Sequence, residues 1–434
     1  MNSALRLALA SAVAATALAA RAAADEIRYL DAATCAPVTR VVGDVVEENW
    51  LQISFRDKGG KIDRVDTRLV LDIKRAAEDA QAAAFRAALA ELANGAYAEA
   101  RQRFGTMGGG GRTQDPASGK IEFKPFPVEP GKAKWSTAYA MYHYALASYL
   151  EGAASKDAEK LADALRVLDA SSGDEKGFLE RYKEGKSRWY ADAWLLKAKV
   201  LVAMGEHDKA AAAFDALYQK TITTPIGVRF SYEAKMGPGR IAEAKGDLNA
   251  AEAAYEAGAS AIQSLFEQPM DPCSKRELGR WYHEARMQKA RVLLAVAEKS
   301  QSAPEFGRLR TFLQQGTPDA LKARFAGKPA EVVDAVMAGA LSPTVQAVAQ
   351  NGIGLAFLAE KKYADAIAAF TAVRVKYFSV SDEVPRALHY LVKAAEAAAS
   401  AAGKPAVKAL YQAQADSARQ ELKSAYPASP WAKV

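Results

Sequence analysis

From residue 25 to about residue 75 the hydrophobic positions crowd into short runs: Ile27 and Tyr29, Val38 to Val46, Leu51, Ile53 and Phe55, Ile62 and Val65, then Leu69, Val70 and Ile73. Runs of β-branched and aromatic residues at this spacing predict strands, roughly four or five of them. Alternation is clearest from Leu51 to Arg56, and Asp57-Lys58-Gly59-Gly60-Lys61 supplies the glycines of a hairpin turn. Past Arg75 the period lengthens to that of helices, starting at Ala76 and holding almost to the end, with Gly, Pro and Asp at the breaks. The helices come in pairs. Alanine-rich stretches at 210–213 and 394–402 strengthen the helical reading, because alanine loses least on entering a helix. Two segments break the rhythm. Residues 105–134 hold four successive glycines and four prolines and read as a loop or insertion; residues 300–342, with Pro304, Pro318 and Pro329, read as a non-repeat helical insertion.

Within the helical part a spacing recurs. The best copy, AWLLKAKVLVAMGEHDKAAAAFDAL, has Trp194, Ala198 and Leu201 on a first helix, Gly205 at a turn, and Ala210 with Phe214 on a second. Further copies carry Gly239, Ala242, Gly246, Ala251 and Tyr255; Gly354, Phe357, Tyr363, Ala366 and Phe370; and Ala88, Gly95, Tyr97, Ala100 and Phe104. Small residues let two helices approach and the aromatics fill the gaps between them. Weaker units fall around 135–168, 278–312 and 389–422.

These residues resemble the tetratricopeptide repeat, W-x2-L-G-x2-Y followed by A-x3-F. Lys197 stands where the motif has leucine, and Phe214 and Tyr255 lie 41 residues apart where the motif repeats about every 34. Residues 25–75 resemble a small Sm-like or SH3-like β domain of the sort that precedes helical repeats in some exported bacterial proteins. The resemblance implies a mainly α chain: an α-solenoid of antiparallel helix pairs over residues 76–434, preceded by a small β-barrel-like domain at 25–75.

The first residues place one cation, Arg6, before an apolar stretch at 7–20, followed by small residues at Ala22 and Ala24. This is the layout of a secretory signal over residues 1–24, cut after Ala24 or, since Arg21 crowds that site, after Ala19 or Ala20. No later run offers the roughly 18 uninterrupted apolar residues of a membrane span. The expected location is the periplasm, the cell envelope or the medium. Removing residues 1–24 deletes two arginines and no acid, so the net charge falls from +7 to +5. With no Lys/Arg-rich run, that excess points away from nucleic acid. Cys35 and Cys273 are the only cysteines. An oxidising compartment permits them to pair, and leaves open that they do not.

The histidines, His143, His207, His283 and His389, have no metal partner at a recognised spacing. Gly237-Pro238-Gly239-Arg240 and the glycines at 108–111 lack the order of a phosphate loop, and no G-x-S-x-G occurs. A binding scaffold without chemistry or cofactor of its own is therefore expected, taking a protein or peptide segment. Tetratricopeptide first helices line the ligand surface, and carrying over the inward positions places Lys199, Arg240 and Asn351 toward a ligand. All three can donate hydrogen bonds to carboxylate oxygens, which suits an acidic segment or a carboxylate terminus. Two other classes stand beside this one. One is a structural component of an envelope assembly. The other is a glycan-binding protein using Trp135, Trp189, Trp194 or Trp281.

Overall fold

The computed structural model describes residues 25–57, 59–74, 80–114, 120–127, 135–169, 176–224, 227–268, 270–300, 302–380, 383–427 and 429–432. The expected signal segment, residues 1–24, lies outside them. The chain is mainly helical after a small N-terminal β region, and divides into two compact units, one ending at Gly237 and the other beginning at Pro238.

In the first unit six strands of five residues each open the chain: β1 (Glu26–Leu30), β2 (Pro37–Val41), β3 (Asp44–Glu48), β4 (Gln52–Arg56), β5 (Ile62–Asp66) and β6 (Val70–Lys74). They form two antiparallel three-stranded sheets, ordered β2-β1-β6 and β3-β4-β5. The pattern suggested four or five strands because residues 38–46 read as one hydrophobic run. It breaks at Val42-Gly43, where the Val42 amide donates to the Asp25 carbonyl and the Gly43 amide to that of Arg56. Ile27, Val42, Ile53, Phe55 and Val70 make the core of this region. The expected turn between β4 and β5 forms, with the Asp57 carboxylate accepting from the amides of Gly59 and Lys61.

The β region is pinned to helices through the β3–β4 turn. There the Trp50 amide donates to the Gly185 carbonyl at 3.0 Å, and its indole meets Tyr190 edge to face. A Cβ on Gly185 would lie 2.0 Å from the Trp50 ring, so only glycine allows this seat.

The helices of the first unit are α1 (Ala80–Ala93), α2 (Tyr97–Gly108), α3 (Trp135–Ser155), α4 (Ala158–Asp169), the short α5 (Phe178–Arg181), α6 (Tyr190–Ala203), α7 (His207–Thr221) and α8 (Gly227–Lys235). Next, α9 (Gly237–Ala244) spans the division. The second unit continues with α10 (Leu248–Leu265), α11 (Pro272–Ser300), α12 (Ala303–Gln314), α13 (Pro318–Arg324), α14 (Ala330–Ala340), α15 (Pro343–Ala359), α16 (Tyr363–Lys376), α17 (Glu383–Ala401) and α18 (Pro405–Ala425).

One turn recurs between paired helices. After α1, α6, α9 and α15 the chain passes through a single residue with positive φ: Gly95 (79°), Gly205 (77°), Gly246 (75°) and Lys361 (61°). In each case the next amide donates back to the carbonyl five residues earlier, as from Ala96 to Glu91, Glu206 to Leu201, Asp247 to Ala242 and Lys362 to Phe357. This is the αL helix ending that satisfies otherwise orphaned carbonyls. The α3–α4 pair repeats it at Lys156, φ 57°, with Asp157 donating to Gly152.

The paired faces are equally regular. Ala100, Ala210, Ala251 and Ala366 are all 0% exposed, and Phe104, Phe214, Tyr255 and Phe370 at most 2%. A Cβ on Gly239 would come within 2.4 Å of the Tyr255 ring, and one on Gly354 within 2.6 Å of the Phe370 ring. The small side chains are there because the aromatic ring occupies their space.

The two segments that break the rhythm are ordered where described. Within 105–134, β7 (Gly111–Gln114) and β8 (Ile121–Lys124) form an antiparallel hairpin. The glycine run allows it to lie close on the helices, since a Cβ on Gly108 or Gly110 would meet Phe126 at 2.5 and 2.7 Å, and one on Gly111 would meet Tyr144 at 2.4 Å. The Arg112 amide donates to the Tyr144 hydroxyl, and its guanidinium binds Asp163 and Glu159. Residues 300–342 form short helices, α12 to α14. Their prolines begin helices rather than break them: Pro304 and Pro318 sit in first turns and Pro329 at an N-cap.

Candidate functional site

Lys199, on α6 in the first unit, points its ammonium toward Glu233 on α8, Nζ to Oε1 3.9 Å. Beside it Arg229 donates to the Asp192 carboxylate at 2.8 Å. Helices α6 and α8 are thus bridged by two ion pairs, and the positive charge of Lys199 and Arg229 is matched by carboxylates of the same unit. Arg240, on α9, is half-buried near Tyr255, whose phenol is pushed up by burial and by its hydrogen bond to Glu243.

Asn351 departs from its expected place on a ligand-facing wall. It is 1% exposed, and its amide nitrogen donates to the Glu383 backbone carbonyl at 3.0 Å and to the Glu383 carboxylate at 2.8 Å. Glu383 starts α17 and is itself buried, so the amide serves a buried acceptor rather than a ligand. Lys199 belongs to the first unit; Arg240 and Asn351 belong to the second.

The tryptophans that a glycan surface would need are packed. Trp189 stacks on Tyr142 with centroids 4.8 Å apart and planes 8° from parallel. Trp194 is half-buried, with the ammonium groups of Lys197 and Lys220 each just over 5 Å from its ring. Trp135 meets Phe85 and Tyr139 edge to face, and Trp281 is buried, donating to Glu277 at 3.2 Å.

Two of the histidines are likewise absorbed by packing. His143 and His283 are buried, each with one ring nitrogen on a backbone carbonyl, that of Tyr139 at 2.8 Å and that of Val336 at 2.7 Å. Burial pushes both imidazoles down to about 4, so they are neutral near pH 7. Among the described residues no group of three or more His, Cys, Asp or Glu is placed to hold a metal ion. Both cysteines are buried and neither is a free thiol.

The concave features described lie elsewhere, in the second unit, on both sides of one ion pair. A first cleft of about 480 Å³ is floored by Phe266, Phe325 and Val332, with Glu267, Lys275 and Lys328 among its walls. A second, about 520 Å³, is lined by Met270, Lys275, Arg276, Glu331, Asp334 and Ala338 among others. Lys275, in the first turn of α11, lines both. Its ammonium meets the Glu331 carboxylate of α14 at 3.0 Å and so divides them, while Lys328 closes on Glu267 at 2.7 Å across the first. The lysines hold both carboxyls below the usual range; at Glu331 a backbone hydrogen bond is the larger cause.

Sequence reasoning missed these residues because they share no motif. The signal available was the irregularity itself: the clefts form where α10 gives way to the 29-residue α11 and where α13 and α14 are short. Among the described residues no single helix is long and apolar enough to cross a membrane. No family model matches the chain, and no curated protein matches it either.

Proposed function

We propose that this chain is an exported helical-repeat scaffold of the tetratricopeptide kind that binds a peptide or protein segment and carries out no reaction itself. In this reading the helix pairs stack as a solenoid, and the two three-stranded sheets at residues 25–74 act as a small Sm-like or SH3-like barrel. The observation that carries it is the repetition of one local design: an αL turn residue seven positions after a small side chain, and an aromatic nine positions later. It occurs at Ala88-Gly95-Phe104, Ala198-Gly205-Phe214, Gly239-Gly246-Tyr255 and Gly354-Lys361-Phe370. Repeated pairs of this kind present first helices side by side, and such surfaces take extended or helical segments.

Selection from a displayed random-peptide library, followed by photo-crosslinking from α6 and α9 and from α7 and α10, tests the reading. Enriched peptides that crosslink from first helices support it. A library from which nothing is enriched counts against it. Fractionation of the tagged full-length chain tests export: recovery from the cytoplasm at unshortened mass removes that part of the proposal.

A further inference from the structure

Residues 272–328 hold twelve lysines and arginines against five acids, so this stretch of the second unit carries as much net charge as the whole chain. Lys275, Lys289, Arg308, Arg310 and Lys328 each meet a carboxylate. Arg286, in the middle of α11, does not. It is 9% exposed, and among the described residues no carboxylate is within reach of its guanidinium. Its hydrogen bond runs from Nη2 to the Phe312 carbonyl in the last turn of α12, at 3.0 Å, and the Phe312 ring lies 4.4 Å from it. A helix end supplies about half a charge and a guanidinium has five N–H donors, so Arg286 is short of both counter-charge and acceptors. Burying a cation in that condition is costly. Arg324, which ends α13, makes the shortage worse. It is exposed, donates to the neutral Gln263 amide at 2.9 Å and likewise has no carboxylate among the described residues. Burial is the main cause that holds the Arg286 guanidinium below its usual value; Tyr282 and Glu256 oppose it, and the charge of Arg324 adds to it. Phe325, next to Arg324, meets Tyr282 edge to face at 5.8 Å, and the Tyr282 ring is 6.0 Å from the Arg286 guanidinium. The buried Tyr282 hydroxyl has no acceptor for its proton among the described residues. Gly316, just after α12, keeps the guanidinium uncovered, since a Cβ there would lie 3.1 Å from Nη2.

We infer that Arg286, Arg324 and the Tyr282 hydroxyl bind a phosphate group, either inorganic phosphate or the monoester end of a larger molecule. The charge count selects it. Two guanidiniums lack a full counter-charge, and a phosphate group carries roughly −1.5 to −2 near pH 7 with three strong acceptor oxygens, whereas a carboxylate would neutralise only one of them. Guanidinium forks also fit phosphate oxygens two at a time. Arg286 is fixed by its bond to Phe312 and by the ring beneath it, so it forms the floor. Arg324 is exposed and gives up only a neutral amide, so it can turn from Gln263 to the ligand. The site lies apart from the clefts beside Lys275 and does not depend on the peptide-scaffold reading.

The test is isothermal titration calorimetry on the full-length protein at constant ionic strength, with inorganic phosphate, glycerol 3-phosphate and acetate as soluble probes. Flotation with phosphatidylcholine vesicles, with and without phosphatidic acid, is the membrane arm. Phosphate or its monoester is expected to bind saturably at one site, and acetate more weakly by about tenfold or more, the scale of one charge-assisted hydrogen bond. Arg286→Met should abolish binding. Arg324→Gln changes an exposed side chain, so it should weaken binding by about tenfold or more at an unchanged melting temperature, which keeps the test valid if Arg286→Met does not fold. Lys322→Gln, a nearby exposed cation, should leave binding as it is. Capture by phosphatidic acid vesicles that is lost in Arg324→Gln identifies a lipid headgroup as the source of the phosphate; binding of the soluble probes without vesicle capture identifies a soluble one. No saturable binding of any phosphate probe, acetate binding as tightly as phosphate, or undiminished binding in Arg324→Gln overturns the inference. The peptide-scaffold reading is tested separately by library selection, so either can fail without the other.

Discussion

At the scale of single residues, backbone conformation explains where the repeat is visible and where it is not. The turns at Gly95, Gly205 and Gly246 read directly from sequence, because glycine adopts positive φ without cost. Lys361 and Lys156 take the same conformation with a side chain attached, at φ 61° and 57°, and there the glycine signal is missing. A non-glycine residue in αL costs roughly 1–2 kcal/mol, less the extra chain entropy that glycine loses on folding. Lys361→Gly and Lys156→Gly should therefore each stabilise the protein by about 0.5–1 kcal/mol, and Gly205→Ala should destabilise it by about 1 kcal/mol, all read from denaturant midpoints. The buried histidines predict a pH dependence. In the unfolded chain an imidazole protonates near 6.5, while His143 and His283 hold to about 4 in the fold. Below pH 6.5 the unfolded state binds protons that the native state refuses, so stability falls with pH until about pH 4 and then levels. The loss is on the order of 3 kcal/mol per imidazole. His143→Phe should flatten part of that slope, and an unchanged slope between pH 6.5 and 4 would show that neither ring is the cause.

Elements divide into those whose pattern is local and those that depend on distant partners. Helix pairs were legible because 3.6-residue periodicity, turn glycines and small-to-aromatic spacing all act within about 30 residues. Strand positions were legible too, but the sixth strand was not, since a hydrophobic run does not show where a chain crosses from one sheet to another. The hairpin of β7 and β8 was hidden for a different reason. Its glycines look like flexibility in sequence, yet they lie close on Phe126 and Tyr144, and its anchor, Arg112, reaches Asp163 from 51 residues away. Asp163 is 4% exposed, so removing Arg112 leaves a buried carboxylate without its cation. Arg112→Met should destabilise by about 3 kcal/mol, and adding Asp163→Asn should recover much of that loss, because the double variant no longer buries the unpaired charge. Hydrogen exchange at 111–114 and 121–124 should quicken in the single variant. A double variant no more stable than the single one would mean that the pair does not hold the hairpin.

For the whole molecule, the candidate site was much less legible than the fold. Lys199 and Asn351 were chosen by position in a repeat, but each meets a carboxylate of its own unit, Glu233 or Glu383, and no periodicity foretells such pairing. The clefts around Lys275 arise where the repeat is least regular, so a reading built on regularity passes over them. Each unit also has its own large cluster of buried residues, one around Phe104, Tyr144 and Val200 and the other around Leu309, Phe370 and Leu388. Where helix pairs gain most of their stability from their immediate neighbours, damage to one cluster should stay largely in its own unit. Phe370→Ala removes a fully buried ring and should cost about 3–5 kcal/mol locally. Hydrogen exchange should then rise across α15 to α17 and stay near wild type in α1 to α4. Phe104→Ala should produce the converse pattern, with α2 and α3 losing protection while α16 and α17 keep theirs. Uniform loss of protection along the chain in either variant would instead mean that the two clusters unfold as one cooperative body, in which neighbour-by-neighbour stabilisation does not describe this protein.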